Sequence, residues 1–273
     1  MFFLPRHAGR ALLWAAITSL TAFVSRWLSD AVEDYPRARE AGPAAACSPA
    51  AARDEQRLAD TLLWRLAERW IAWRALEPFI VRPTFERLRV LNVDFGPGGV
   101  AIALHRRAPL DATVVATDSV SGMGDLARHR AMKRNPRRQP HFVQSWSHGL
   151  PFRDGSFDLV VASGALHGWP YPEHALAEVK RVLNPDGRYV VADLRRDITL
   201  PLWLAIRAAA PFIPKDLRAL GEPGASIRAA YAPHEAEWLA ARAGLPECFT
   251  APGPAWIMME RKRAASPRTY SLS

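Results

Sequence analysis

The chain has 273 residues, 49% of them hydrophobic, enough for one sizeable core and an appendage. Its two cysteines, Cys47 and Cys248, have no metal-ligand spacing and form no disulfide framework, which argues against a stapled secreted scaffold and for a reducing, cytoplasmic compartment. A formal net charge of +9 admits a nucleic-acid or anionic-membrane partner, or is simply the background of an Arg- and Ala-rich composition.

From Ala11 to Ser25 no residue is charged, but the run is too short for a membrane span. No small-x-small cleavage site precedes Asp30, which argues against a signal peptide. Leu13, Ile17, Leu20, Val24, Trp27, Leu28 and Ala31 fall on one helical face, and Thr18, Thr21, Ser25 and Ser29 on another. Residues 1–35 are therefore expected to form an amphipathic helix that either packs on the domain or makes a peripheral membrane contact. Residues 36–53, rich in Ala, Pro and Gly, read as a linker. Residues 54–263 read as the main domain, and 264–273 as a tail. Asp54 is expected to cap a helix in which Leu58, Leu62, Leu66, Trp70 and Trp73 bury a face, with Pro78 and Pro83 ending it.

From Leu88 onward, apolar runs at 88–93, 113–117, 141–144, 157–162 and 188–193 alternate with helical stretches near 99–107, 121–134 and 173–183. This alternation predicts an α/β fold, a parallel sheet with helices on both faces. Near-continuous apolar strands are what a sheet covered on both faces requires. Helical patterns follow at Leu200–Ala210, Lys215–Leu220 and Pro233–Ala243, then two short strands near 246–250 and 255–260.

The first strand runs into Asn92-Val93-Asp94-Phe95-Gly96-Pro97-Gly98-Gly99, a glycine-rich turn that opens a helix. Such a turn brings bare backbone N–H groups against a ligand at a strand end. About 20 residues on, Asp118 closes the next apolar run, where folds of this kind place a ribose-binding acid. A carboxylate there can accept from both ribose hydroxyls, or it can merely cap the next helix.

Leu150-Pro151-Phe152-Arg153-Asp154-Gly155-Ser156-Phe157-Asp158 then leads to Ala165-Leu166-His167-Gly168-Trp169 and to Arg181-Val182-Leu183-Asn184-Pro185-Asp186-Gly187. This succession resembles the class I S-adenosylmethionine-dependent methyltransferases, in the type 11 branch similar to ubiquinone/menaquinone-biosynthesis enzymes. The resemblance implies a Rossmann-like three-layer sandwich, with a mostly parallel seven-stranded sheet whose last strand is antiparallel. It implies S-adenosylmethionine as the cofactor. It assigns Gly96 and Gly98 to the cofactor's methionine end, Asp118 and Ser119 to the ribose, and Trp146 and Ser147 to the adenine side. Ser163 and Gly164 would face the methionine part, and His167 the methyl acceptor. Asp158 matches a residue that is structural in the family.

The chain departs from the family pattern at three positions. Asn92 stands where an acid is common, Asp94 where a glycine is common, and Trp146 where an Asp often meets the adenine. Asp94 either repels a cofactor carboxylate or pairs with its ammonium. Trp146 gives up a hydrogen bond but can stack on a ring. An altered, working cofactor site and a fold that has lost its cofactor are both open on these grounds.

No Asn/Asp-Pro-Pro-Tyr-like motif follows the fourth strand, and neither cysteine follows a proline, so a small organic acceptor is the leading reading. Residues 195–232, with Trp203, Phe212, Ile213, Arg218, Arg228 and Tyr231, are expected to form a lid. Tyr171 and Tyr231 are candidate pocket aromatics. The basic run Arg128, Arg130, Lys133, Arg134, Arg137 and Arg138 gives nucleic-acid association as an alternative, against a solvated face. A non-catalytic partner protein on the same fold is a further alternative.

Overall fold

The computed structural model describes residues 6–36, 39, 49–81, 87–135, 138–245 and 248–261. Cys47, Pro83, Arg137 and the tail from 264 lie outside them.

Three helices precede the sheet: α1 (Arg6–Glu33), α2 (Pro49–Ala59) and α3 (Leu62–Val81). Strand–helix alternation then follows: β1 (Arg89–Val93), α4 (Gly99–Arg107), β2 (Thr113–Asp118), α5 (Met123–Arg134), β3 (His141–Gln144), β4 (Phe157–Ser163), α6 (Pro172–Val182) and β5 (Leu183–Leu194). Next come α7 (Leu200–Ala209), α8 (Lys215–Ala219), α9 (Gly224–Ala229) and α10 (Pro233–Arg242). The hairpin β6 (Cys248–Pro252) and β7 (Trp256–Arg261) closes the chain. The seven strands form one sheet in the order β3-β2-β1-β4-β5-β7-β6. The first five pair in parallel, and β7 inserts antiparallel between β5 and β6. The expected architecture, with its antiparallel last strand, is the observed one.

Side-chain alternation divides the core. Leu91 and Val93 of β1 join Val160, Ala162, Leu176 and Val179 on the α6/α10 face. Val90, Leu159 and Val161 meet Leu76, Phe79, Val100 and Leu104 on the α3/α4 face. Apolar residues on both sides of each central strand explain the uninterrupted hydrophobic runs. Arg89 reaches across to buried Asp158, whose two oxygens accept from its backbone N (2.9 Å), Nε (3.2 Å) and guanidinium (2.9 Å), so Asp158 is a structural anchor.

Several expectations ahead of the sheet are corrected. Asp54 does not cap the helix it is expected to start: it sits inside α2, buried, and accepts from Arg57 (2.6 Å) and from the backbone N of Asp216 (3.0 Å) in the first turn of α8. The last residues of the Ala/Pro-rich segment thus belong to a helix, and Leu58 lies on α2, a different helix from Leu62. Pro78 lies within α3, which continues to Val81. The stripe Leu62, Leu66, Trp70 and Trp73 faces outward, and the buried side of α3 is Ala72, Ala75, Leu76 and Phe79. The alanines let α3 approach α4 closely, which bulky Trp and Leu would prevent. A Cβ added to Gly99 would fall 1.7 Å from the Glu68 carboxylate. On α1, Ile17, Leu20, Val24 and Leu28 are likewise exposed, and among its described side chains the buried one is Ala31, in the last turns. Among the described residues no helix is long and apolar enough to cross a membrane.

Candidate functional site

The glycine turn is built by backbone geometry. Gly96 (φ +50) and Gly98 (φ +82) take left-handed conformations, and a Cβ on Gly98 would lie 2.8 Å from that of Ala127, so the loop can sit against α5 only without a side chain there. Asp94 shares this backbone region at φ +50, which explains why glycine is common at its position; Asp tolerates it better than most residues. Phe95 N donates to Thr117 O (3.1 Å), tying the turn to β2.

Asp118 ends β2 beneath this turn. Its Oδ2 accepts from Gly96 N and its Oδ1 from Val120 N, both at 2.9 Å. Each oxygen keeps a lone pair for a further donor. Burial raises the carboxyl pKa, and the two backbone bonds oppose that rise. Beside it opens a cavity of about 190 Å³ bounded by Phe95, Val120, Phe142 and Gln144. Ser119 follows Asp118, its carbonyl accepting from Gln144 Nε2 (3.3 Å).

Asn92 is buried one turn of the pleat away. Its Nδ2 donates to Val161 O (3.0 Å), while Oδ1 has no partner among the described residues. The Asp94 carboxylate accepts from the Trp169 indole N–H and from Ser147. Burial, reinforced by Asp118, pushes its pKa up to about 7 despite those two bonds. Trp146 is 60% exposed and heads an aromatic strip, with ring centroids 5.8 Å to His148 and 5.2 Å on to Tyr171. Ser163 is half-buried at the end of β4, and Gly164 (φ +65) donates to Ala192 O (2.8 Å).

His167 sits in a short 3-10 turn, Leu166–Gly168, after β4. Asp193, near the end of β5, holds it twice: Oδ2 accepts from His167 N (2.7 Å), and Oδ1 lies 2.8 Å from ring Nδ1. That fixes the ring and leaves Nε2 available. Burial lowers the imidazole pKa, but the charge and hydrogen bond of Asp193 more than offset it, and the net shift is upward. Tyr231 is buried with the Arg39 guanidinium 4.2 Å above its ring, whereas Tyr171 is exposed.

Sequence reasoning missed three acids here. Glu55, on α2, puts Oε1 3.1 Å from where a Gly96 Cβ would stand. Its pKa rises to about 7, first through burial, then through Asp118 and Glu222, against the pull of His167. Nothing in the sequence ties Glu55 or Glu222 to the turn, because α2 delivers the one and the connection between α8 and α9 the other. Asp193 did leave a signal: like Asp118, it is an acid closing an apolar strand.

Residues 195–232, expected as a lid, carry α7, α8 and α9, and the N-terminal segment fastens them. Trp203 Nε1 donates to Ala31 O (2.7 Å), Asp34 bridges Arg207 (3.1 Å) and Arg228 (3.0 Å), and the Tyr35 hydroxyl donates to Ile198 O. Phe212 is fully outward, so it is not a lining residue. The basic run is largely consumed internally. Arg130 is buried and donates to Ala59 O (2.7 Å) and Pro97 O (3.2 Å), with Asp60 at 3.2 Å. Arg138 donates to Pro109 O (2.7 Å), and Arg128 pairs with Asp125 (2.7 Å).

A family model described as a methyltransferase domain matches residues 91–191. A demethylmenaquinone methyltransferase of Thermus thermophilus is 37% identical over 105 residues, 38% of this chain and 46% of that protein. A phthiotriol/phenolphthiotriol dimycocerosates methyltransferase of Mycobacterium tuberculosis is 36% identical over 124 residues, 45% of this chain and 44% of its own. The chain thus spans about half the length of the curated relatives it matches. A solved SAM-dependent methyltransferase from Aquifex aeolicus superposes with a TM-score of 0.56 at 16% identity, over 77% of this chain and 96% of that one. That likeness establishes the fold.

Proposed function

We propose that this chain, whose residues 91–191 match a family model described as a methyltransferase domain, moves a methyl group from S-adenosylmethionine to a small organic acceptor by in-line displacement. The observation that carries this reading is the pairing of a backbone-clamped Asp118 at the glycine turn with a His167–Asp193 pair across the strand ends. The residues suit the cofactor chemically. Asp118 has free lone pairs for a sugar diol, and Asn92 Oδ1 is a buried acceptor without a donor. Glu55 lies within electrostatic reach of Asp118 and Glu222, and Asp94 within reach of Asp118, an arrangement that favours a cation near Asp118.

When bound, S-adenosylmethionine supplies a methyl group activated on a sulfonium. The chain's own contribution is alignment and exclusion of water. The turn and Asp118 orient one end of the site. The lid, fastened by Asp34, Tyr35 and Trp203, covers the other. His167, its tautomer and angle set by Asp193, takes a proton at Nε2 from an acceptor that must lose one. The relatives' named substrates, demethylmenaquinone and phthiotriol dimycocerosates, support an organic acceptor of quinone or lipid type.

The test is incubation with methyl-labelled S-adenosylmethionine and a panel of reduced quinones, phenols and hydroxylated lipids. Label entering the organic extract and lost in His167→Ala supports the proposal. Label found only in added RNA or protein, or in no acceptor, contradicts it.

A further inference from the structure

The outward face of α3 holds Leu62, Leu66, Trp70, Trp73 and Ile80, all exposed, Leu62 at 72% and Trp73 at 42%. At 100° per residue these five fall within one quarter of the helix circumference. The opposite face is the one α3 spends on α4 and the sheet, so the helix is apolar on both sides and only one is covered. Amphipathicity ordinarily leaves the outer side polar.

The rim of this face is basic. A groove of about 600 Å³ runs between α3 and α4, lined by Leu66, Trp70 and Trp73 and by Arg65, Arg69, Arg106, Arg107 and Arg134. The acid on its floor, Glu68, is taken by buried Arg130 (3.4 Å). Among the described residues, the guanidinium groups of Arg65, Arg69, Arg106 and Arg107 make no hydrogen bond or ion pair, and that of Arg134 has only a 3.6 Å contact with Asp60. Burial first, then neighbouring Arg130 and Arg65, lower the Arg134 pKa against the opposing pull of Glu68 and Asp60. Trp70 is braced edge-on by Trp256 at 5.0 Å, so it projects on a fixed base.

We propose that the α3–α4 face docks on an anionic lipid bilayer, with Leu62, Leu66, Trp70 and Trp73 entering the interfacial layer and Arg65, Arg69, Arg106 and Arg107 meeting lipid phosphates. Charge complementarity selects this occupant: the face combines unpaired guanidinium groups with indoles and leucines. Tryptophan favours the headgroup boundary because one ring carries an apolar body and a polar N–H. Guanidinium groups bind phosphate oxygens in a fork. A duplex nucleic acid would use the arginines but leave four large apolar side chains in water. The proposal does not depend on the methyl-transfer reading, since none of these residues belongs to that site.

The test is flotation of the full chain with vesicles of phosphatidylcholine alone, and with about 30% phosphatidylglycerol. Expected is capture by the anionic vesicles only, weakened by salt. Arg65→Glu/Arg69→Glu/Arg106→Glu/Arg107→Glu is expected to lower the partition by on the order of 100-fold or more. Leu66→Glu/Trp73→Glu is expected to lower it while leaving circular dichroism and S-adenosylmethionine binding unchanged. Equal capture by both vesicles, or capture that survives the four charge reversals, overturns the proposal. So does a dimer in light scattering that Leu66→Glu/Trp73→Glu converts to monomer, or tighter retention by RNA than by anionic vesicles.

Discussion

The two halves of the site are held by different means. At the glycine turn, one carboxylate is fixed by two backbone N–H groups, and the turn and its clamp come from residues 95–120. Across the strand ends, side chains hold one another: Trp169 and Ser147 on Asp94, Asp193 on His167, and Glu55 brought in by α2. Backbone donors cannot titrate, so the first half keeps its geometry over a wide pH range. The second is a set of coupled acids and an imidazole with displaced pKa values, and its behaviour depends on pH and on the charge of what it binds.

The largest effect that distinguishes the halves is expected at His167. His167→Ala should lower kcat by about 10²–10⁴-fold while cofactor affinity stays within a few-fold, if the acceptor gives up a proton. Asp193→Asn removes what raises the imidazole pKa. The acidic limb of the rate profile should then move to lower pH, together with a fall in rate from the loosened ring. An unmoved limb would mean that Asp193 does not act through His167.

Asp118→Ala probes the other half. It removes an ionised acceptor and orphans two backbone N–H groups, so calorimetry should show cofactor affinity falling by about 100-fold. The charge it removes also helps to hold the Glu55 and Asp94 carboxyl pKa values up, so the pH dependence of whatever binding remains should move to lower pH, while the rate profile set by His167 stays in place. If Asp118→Ala alters the rate profile as much as Asp193→Asn does, the two halves are not separable.

Asp94 gives a smaller effect, on stability. Its folded pKa of about 7 lies above the unfolded carboxylate value, so the folded state binds the proton more tightly. The stability from this group is present below about pH 4 and is lost as pH rises through 7, amounting to about 2–4 kcal/mol. Urea unfolding at pH 5 and pH 8 should show a smaller difference for Asp94→Asn than for the wild type. Glu55, raised in the same direction, keeps the difference from vanishing.

The smallest effect is a proton count. A sulfonium placed among Glu55 and Asp94 favours their ionised forms, so S-adenosylmethionine should release a fraction of a proton on binding near pH 7, and neutral S-adenosylhomocysteine less. Calorimetry in buffers of different ionisation enthalpy measures this. Glu55→Gln should reduce the release. Equal release for both ligands would place the sulfonium away from these acids.

The same division decides what could be read in advance. The glycine turn, Asp118 and helix 99–107 were legible because one contiguous stretch carries both the strand period and the turn chemistry. Strand 141–144 was legible for the same reason. The second half was legible only where the resemblance supplied Asp94, Ser147 and His167. Asp193, Glu55 and Glu222 reach the site through strand order and lid packing, which no local pattern encodes. The Leu62–Trp73 stripe misled for a related reason: helical spacing shows that a face is apolar, but not whether the protein covers it. The Arg128–Arg138 run shows the reverse, since a charged stretch that reads as a surface is spent largely on carbonyls and buried acids inside.

Calorimetric titration of the purified, folded chain with S-adenosylmethionine, beside its Asp118→Ala variant, tests the central claim most directly. The account predicts micromolar binding by the wild type despite Asp94 and Trp146, and a collapse of that binding in the variant. No heat of binding from a wild-type chain shown by circular dichroism to be folded would contradict it, and would leave a methyltransferase fold without its cofactor.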